Sequence, residues 1–146
     1  MVMKLSLADG PSEHLSWKEL ACKDGTPYPD KYKLDGRATK IALVFEDIRS
    51  IYGLPITVLS AYRTPEHNRK IGGAKNSQHL EGRALDLRPP KGISIDQFYK
   101  DIKFKVDDFG IRGIGRYQTF VHVDIRPTFK LVSWSGDGVK DSSVNA

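Results

Sequence analysis

The chain has 146 residues, of which 39% are hydrophobic and 28% charged, and its formal net charge is +5. This length is enough for one compact domain with a hydrophobic core and too short for two. A single cysteine, Cys22, excludes an internal disulfide and an all-cysteine zinc site, so a metal would need histidine or carboxylate ligands. We expect the thiol to pack as a small hydrophobic group.

The N-terminus and the charge bear on where the protein acts and what it binds. Residues 1–9 lack the apolar core of a signal peptide, and no stretch reaches the roughly 18 consecutive apolar residues of a membrane span. We therefore expect a protein that is made in the cytoplasm and does not bind membranes. The positive charge favours acidic partners, but no helix-turn-helix, zinc finger or RNP motif accompanies it, so nucleic acid is not an expected partner.

The first predicted elements are a helix, a strand and a long loop. Apolar residues recur at steps of three and four over residues 38–52, which predicts an amphipathic helix that ends at Gly53. Residues 55–63 are apolar on both faces, as in a buried central strand, and this strand would place Arg63 at its end. The glycine-containing residues 64–78 predict a structured loop with one helical turn.

The second half of the chain predicts one strand, one helix and two further strands. In residues 83–88, Asp86 lies on the opposite face from the two leucines, which indicates a half-buried strand. Residues 94–110 predict a helix whose N-terminal serine can act as a cap. Residues 110–117 and 119–126 predict two strands joined by a turn.

Ligand-type side chains are predicted to face one side of the sheet. His122 and Asp124 share a face of the last strand, and Asp86 turns away from the apolar face of its own strand. Together with His79, they supply a His, Asp, His set that would leave zinc's fourth position open to water, which zinc would activate as hydroxide. The same residues also fit simpler roles: surface or helix-capping positions for His79 and Asp86, and a sheet histidine paired with Asp124.

Four segments carry a more specific pattern. They are SAYR at residues 60–63, SQHLEGRALD at residues 77–86, GIGRY at residues 113–117 and FVHVD at residues 120–124. Together they resemble the zinc D-Ala-D-Ala carboxypeptidase family, which includes murein endopeptidases and phage endolysins and has the hedgehog signalling domain as a structural relative. The resemblance runs from about residue 38 to residue 134, and SQHLEGRALD is its most specific part.

The resemblance implies roles for five residues. His79, Asp86 and His122 would bind one zinc ion per chain. Arg63 would bind a substrate carboxylate or the developing oxyanion, which suits a guanidinium because it donates two parallel hydrogen bonds and carries positive charge. Ser77 would line the substrate cleft.

The general base is where this chain departs from the better-known family members. They place a Glu or Asp three residues before the last zinc histidine, where this chain has Thr119, whose hydroxyl cannot take a proton from water at neutral pH. The His-x-Asp ending is similar to that of one murein endopeptidase branch and makes Asp124 the first candidate for the base. Asp124 also fits a role as the acceptor that orients a zinc histidine, and Glu81 is a third option for the base.

Pattern and resemblance together predict an α+β domain over residues 1–134, with a small, mainly antiparallel sheet packed on helices and a zinc cleft on the other sheet face. Residues 135–146 would form a polar, flexible tail. The predicted function is zinc-dependent hydrolysis of a peptide bond in bacterial peptidoglycan by a monomer, after release from the cell or in a phage or prophage context. The alternatives are a zinc-stabilised binding module without turnover and a phage structural component.

Overall fold

The computed structural model describes residues 9–136, and within them no helix is long and apolar enough to cross a lipid bilayer. The helices of these residues are α1 (Trp17–Leu20), α2 (Asp30–Leu34), α3 (Arg37–Tyr52), α4 (Pro65–Lys70), α5 (Ile95–Phe104) and α6 (Val106–Phe109), with a 3-10 helix at Gln78–Glu81. The strands are β1 (Val58–Ser60), β2 (Ala84–Leu87), β3 (Gly113–Arg116), β4 (Val121–Asp124) and β5 (Val132–Ser135).

The strands form one sheet in the order β1-β2-β4-β3-β5. Every neighbouring pair is antiparallel except β3 and β5, which are parallel. This confirms the predicted α+β fold with a small, mainly antiparallel sheet. The strand order also brings two of the predicted zinc ligands onto adjacent strands, because β2 carries Asp86 and β4 carries His122.

One face of the sheet packs on α3 and α5 and forms the hydrophobic core. The core side chains are Leu85, Leu87, Ile114, Val121 and Val123 from the sheet, Ile41, Phe45 and Ile48 from α3, and Phe98 and Ile102 from α5. Burying one such side chain stabilises a fold by about 1.5–3 kcal/mol relative to leaving it exposed. The apolar face therefore holds the sheet on the helices, and the opposite face is left to the polar side chains of β2 and β4.

The single helix predicted over residues 94–110 is wrong, because two helices occupy this range. The N–H of Lys105 bonds the carbonyl of Ile102, three residues back, and such a bond tightens the last turn of a helix. Lys105 itself leaves the helical conformation, with φ at −109° and ψ at 8°, and α6 begins at the next residue. Val106, the first residue of α6, is buried in the core.

The earlier predicted elements are present with adjusted ends. The helix predicted over residues 38–52 is α3, and Gly53 ends it in the left-handed conformation, with φ at 65°. The strand predicted over residues 55–63 is shorter and is limited to β1. Its pairing register with β2 shifts between Val58 and Ser60, which breaks the ladder of hydrogen bonds.

Three short elements had no signal in the sequence. Helices α1 and α2 and strand β5 have four or five residues each, too few to show a hydrophobic period. Strand β5 crosses the boundary predicted between domain and tail, because it includes Ser135. Residues 137–146 of the predicted tail lie outside the described residues.

Candidate metal centre

Three predicted ligands lie together on the polar face of the sheet. Asp86 in β2 and His122 in β4 are paired directly across the two strands. His79 comes from the 3-10 helix that precedes β2. One ligand atom of each residue lies within 4.8 Å of the other two, and all three side chains are buried. The structure therefore brings together the residues for which the sequence predicted convergence.

Both histidines point one ring nitrogen at the same carboxylate oxygen. His79 Nε2 lies 3.1 Å from Asp86 Oδ1, and His122 Nδ1 lies 3.0 Å from it. The second nitrogen of each ring meets a group that only accepts hydrogen bonds. His79 Nδ1 donates to the carbonyl oxygen of Ala61 at 2.6 Å, and His122 Nε2 donates to Asp124 Oδ2 at 2.7 Å. A neutral imidazole has one N–H, so in the neutral form of each ring the nitrogen that faces Asp86 carries a lone pair.

Burial and neighbouring charge set the ionisation of this group. Burial raises the pKa of Asp86, but His79 and His122 outweigh it and hold that pKa well below its usual range. Burial lowers the pKa of His79. For His122, the effect of burial is outweighed by hydrogen bonds with Asp124 and Asp86, and its pKa is raised. At neutral pH the centre therefore contains an ionised carboxylate beside a neutral His79.

This donor set fits a zinc ion. A proton on His122 would relieve its contact with Asp86, but the lone pair of the neutral His79 would still face a carboxylate oxygen. A divalent cation among the three atoms turns both contacts into attractive ones, and two imidazoles with one carboxylate are typical zinc ligands. Each ligand is also held from behind by a hydrogen-bond partner, as is common for metal-binding histidines and carboxylates.

The loop before β2 sets the position of His79. The Ser77 hydroxyl accepts the N–H of His79 at 3.1 Å and so caps the 3-10 helix at its start. Gly82 ends that helix with φ at 65°, a conformation that side chains other than glycine rarely adopt. A Cβ at Gly82 would also collide with the rings of Tyr28 and Tyr32. The motif segment at residues 77–86 thus builds the turn that delivers His79.

Asp124 lies behind His122, on the side of the ring away from Asp86. It is fully buried, and the Arg126 guanidinium donates to both of its oxygens, from Nε at 2.9 Å and from Nη2 at 2.7 Å. The backbone N–H of Arg126 adds a bond of 3.1 Å. Both carboxylate oxygens are therefore engaged. Of the two roles that the sequence left open for Asp124, this geometry favours orienting His122.

Two glycines in β3 leave room for this arrangement. Gly113 pairs with Asp124, and a Cβ on Gly113 would collide with the Asp124 carboxylate. Gly115 pairs with Trp134 in β5, and a Cβ there would collide with the indole. The Trp134 ring then lies against His122, with 5.1 Å between their ring centroids. The two glycines of the GIGRY segment are thus explained by the side chains of Asp124 and Trp134, which occupy the space where a Cβ would lie.

Arg63 reaches the centre from the loop after β1. Its Nη2 donates to Asp86 Oδ2 at 3.3 Å, its Nη1 to Asn68 Oδ1 at 3.2 Å and its Nε to Ser60 Oγ at 3.1 Å. Burial lowers the pKa of Arg63, against the opposing effect of Asp86, but an arginine stays charged at neutral pH. Among the described residues, these bonds use three of the five N–H donors of the guanidinium.

The remaining predicted residues lie in different surroundings. The Ser77 side chain is buried and is engaged in capping, as described above. Thr119 is exposed in the loop between β3 and β4. Glu81 extends its carboxylate towards Arg37 and Arg83, at 3.8 Å and 3.6 Å. Its oxygen is thus engaged with two guanidinium groups on the surface.

The sequence reasoning missed two residues that complete the centre. Arg126 holds Asp124. The sequence could have indicated this contact, because residues two apart on a strand share a face. Trp134 lies against His122, and this contact depends on β5, which had no signal in the sequence. The Trp134 indole also donates to the Tyr117 hydroxyl at 3.0 Å.

The chain matches a family of known proteins. A family model described as Peptidase M15 matches residues 13–124, which is more than three quarters of the chain. The matched span contains Arg63 and the three candidate ligands. A search of curated proteins found no match.

Proposed function

The chain belongs to the peptidase M15 family, and on this premise we propose that it is a zinc-dependent peptidase that hydrolyses a peptide bond in the stem peptides or cross-links of bacterial peptidoglycan. The family match confirms the resemblance drawn from the four motif segments. The match supports a metallopeptidase that acts on peptidoglycan in general. That the bond cut lies in the stem peptides or cross-links is our proposal.

One observation carries the proposal. Three buried ligand atoms, one each on His79, Asp86 and His122, face one another, and the N–H groups of the two neutral imidazoles are directed at Ala61 and Asp124 instead. A purely structural cluster would direct an N–H of His79 at Asp86, whereas here that N–H goes to the Ala61 carbonyl. A group of lone pairs kept apart from water costs free energy unless a cation sits among them.

His79, Asp86 and His122 would hold the zinc. When bound, zinc supplies a Lewis acid that polarises a carbonyl and lowers the pKa of a water from 15.7 to about 7. We assign Asp124 as a positioning residue: it keeps the N–H of His122 on Nε2, so that Nδ1 is free to bind metal. Arg126 keeps the Asp124 carboxylate ionised and fixed.

Arg63 would bind the substrate beside the ligands. The two N–H groups that bond no residue of the described part of the chain can donate to a carboxylate or to an oxygen that gains negative charge during the reaction, while Asp86 and Asn68 keep the guanidinium in place. Its low exposure strengthens this interaction, since charges attract more strongly where water is excluded.

We expect Arg63→Lys to lose activity and keep the metal. Lysine retains the charge but not the planar fork, and loss of one such donor typically costs about 100-fold or more in rate, or roughly 2.7 kcal/mol. The measurement is the rate of peptide release together with the zinc content of the purified variant. Arg69→Lys, at an exposed position of α4, is the matched control. A rate within about twofold of the native one would remove Arg63 from the substrate site.

Digestion of purified peptidoglycan tests the proposed function. The full chain is incubated with the substrate alone, with a chelator, and with chelator followed by added zinc, and released peptides are identified by mass spectrometry. We expect fragments that disappear with chelator and return with zinc, and their new termini name the bond. If no fragment is released while zinc is bound, the proposal fails.

The same experiment addresses the alternative of a binding module without turnover. That alternative draws on Thr119, which stands where better-known relatives have an acidic residue and is exposed in a loop. Bound zinc with no released fragment would favour it. The phage or prophage origin, the phage structural component, release from the cell and the monomeric state stay predictions from the sequence.

A further inference from the structure

A second group of metal-type ligands lies at the start of α4, separate from the centre described above. Cys22, Asp24 and His67 each offer one ligand atom, and these atoms lie within 4.8 Å of one another. Cys22 and Asp24 belong to the turn that follows α1, whereas His67 is in α4. The group therefore joins two parts of the chain that are distant in sequence, and the proposed function does not use it.

Thr64 fixes the relative position of these two segments. Its hydroxyl donates to Asp24 Oδ2 at 2.8 Å and accepts the N–H of His67 at 3.1 Å. The same hydroxyl lies 4.0 Å from Cys22 Sγ. The N–H of Thr26 donates to Asp24 Oδ1 at 2.9 Å. The side chains of Cys22 and Asp24 and the backbone of His67 are thus held near one another by a framework that does not depend on a bound ion.

Ionisation and exposure also suit a metal. The hydrogen bonds from Thr26 and Thr64 hold the pKa of Asp24 well below its usual range, so this side chain is a carboxylate at neutral pH. Cys22 is buried, with 4% of its surface exposed, while Asp24 is exposed and His67 is half-buried. An ion can therefore approach from the side of Asp24 and His67 and reach the sulfur beneath them.

We propose that Cys22, Asp24 and His67 form a second metal site, which binds a divalent transition ion of the zinc type. Sulfur and imidazole donors favour zinc and neighbouring transition metals, whereas magnesium and calcium prefer sets of oxygen atoms. On binding, the Sγ–H bond of Cys22 is broken, its proton passes to solvent and the thiolate donates an electron pair to the metal. Water from the solvent side would complete a tetrahedral set.

The position of the site indicates a structural effect. A metal there would tie the turn after α1 to the start of α4, next to Arg63 in sequence. Because the ion binds the folded chain through residues that are far apart in sequence, it stabilises the folded state by an amount that grows with the logarithm of the metal concentration once the site is filled. This inference does not rest on the peptidase activity, since none of its three ligands belongs to the proposed catalytic centre.

Cobalt binding gives a readout that separates the two sites. Cobalt(II) replaces zinc, and a thiolate ligand adds an intense thiolate-to-metal absorption band in the near ultraviolet. Cys22 is the only cysteine in the chain, and the centre at His79 has no sulfur, so this band reports the second site alone. We expect the metal-free full chain to bind two cobalt ions and to develop the band.

The variants give distinct patterns. Cys22→Ser is expected to bind one cobalt without the band, and His122→Ala to bind one cobalt with the band. His67→Gln and Asp24→Asn are expected to lose the band at the cobalt concentration that saturates the native chain. His14→Gln, which changes a histidine outside both groups, is the matched control and is expected to keep two ions and the band.

Two results would overturn the second site. One is a native chain that binds a single cobalt with no thiolate band. The other is a band that appears at the same cobalt concentration in His67→Gln and Asp24→Asn as in the native chain, because the thiol would then bind metal without its two proposed partners. If circular dichroism shows that Cys22→Ser does not fold, His67→Gln and Asp24→Asn test the site instead, since the side chains that they change are more exposed than Cys22.

Discussion

His122→Ala is expected to lose the metal of the catalytic centre and the release of peptides together. His122 is fully buried and supplies the one ligand nitrogen on β4, directly opposite Asp86. With it absent, His79 and Asp86 offer two donors, which is too few to hold zinc in a catalytic site. We therefore expect activity at the level of the uncatalysed background. Zinc content should fall by one ion per chain, measured by elemental analysis of protein from metal-free buffer.

A histidine outside the centre controls for general effects of the substitution. His14 bonds Glu46 of α3 at 2.7 Å and belongs to neither group of metal ligands, so His14→Ala is expected to keep both the zinc and the activity. Circular dichroism of both variants checks that the fold is intact. A folded His122→Ala that releases peptides at the native rate would show that this centre is not where hydrolysis occurs.

Asp124→Asn is expected to weaken zinc binding about 10-fold to 100-fold, the usual effect of removing the partner behind a metal-binding histidine. An asparagine can turn its amide N–H towards His122 Nε2, and the ring then no longer has to keep its proton there. Activity should fall at low zinc and recover towards the native value when zinc is saturating. The measurement is peptide release as a function of free zinc concentration.

The same substitution separates the two roles left open by the sequence. If Asp124 took a proton from water during the reaction, activity would stay low at every zinc concentration while zinc affinity was unchanged. We also expect a lower free energy of unfolding, by roughly 3 kcal/mol, because the buried Arg126 guanidinium loses its ion pair with the Asp124 carboxylate. Urea denaturation at saturating zinc measures that change, and both assays are made at a temperature where the variant is folded.

The hydrophobic pattern and the motif spacing were sufficient to predict the central part of the site. Alternation along β2 and β4 put Asp86 and His122 on the polar face, and the structure has them there. That inference works because side chains on a strand alternate strictly between two faces. The apolar residues of α3 recur at steps of three and four, which places them on one side of a helix. This pattern predicted the helix that covers the other face of the sheet.

Other features depend on contacts that no local pattern contains. The role of Asp124 rests on which nitrogen of His122 carries the proton and on the fork of Arg126, and both are properties of the folded site. Cys22 was expected to be a buried small group, and it is buried. Its proximity to His67 follows from the way the N-terminal turn packs on α4, between residues 45 positions apart, which no periodicity in the sequence encodes.

The most direct test of the central claim is a zinc titration of the metal-free chain against purified peptidoglycan. The titration is carried out on the native chain and on His67→Gln. In the variant, zinc fills the catalytic centre without the second site. We predict that peptide release in His67→Gln rises in proportion to added zinc and stops rising at one equivalent. Release that is independent of zinc, or one bound zinc with no release, would contradict the claim that His79, Asp86 and His122 form the centre of a zinc peptidase.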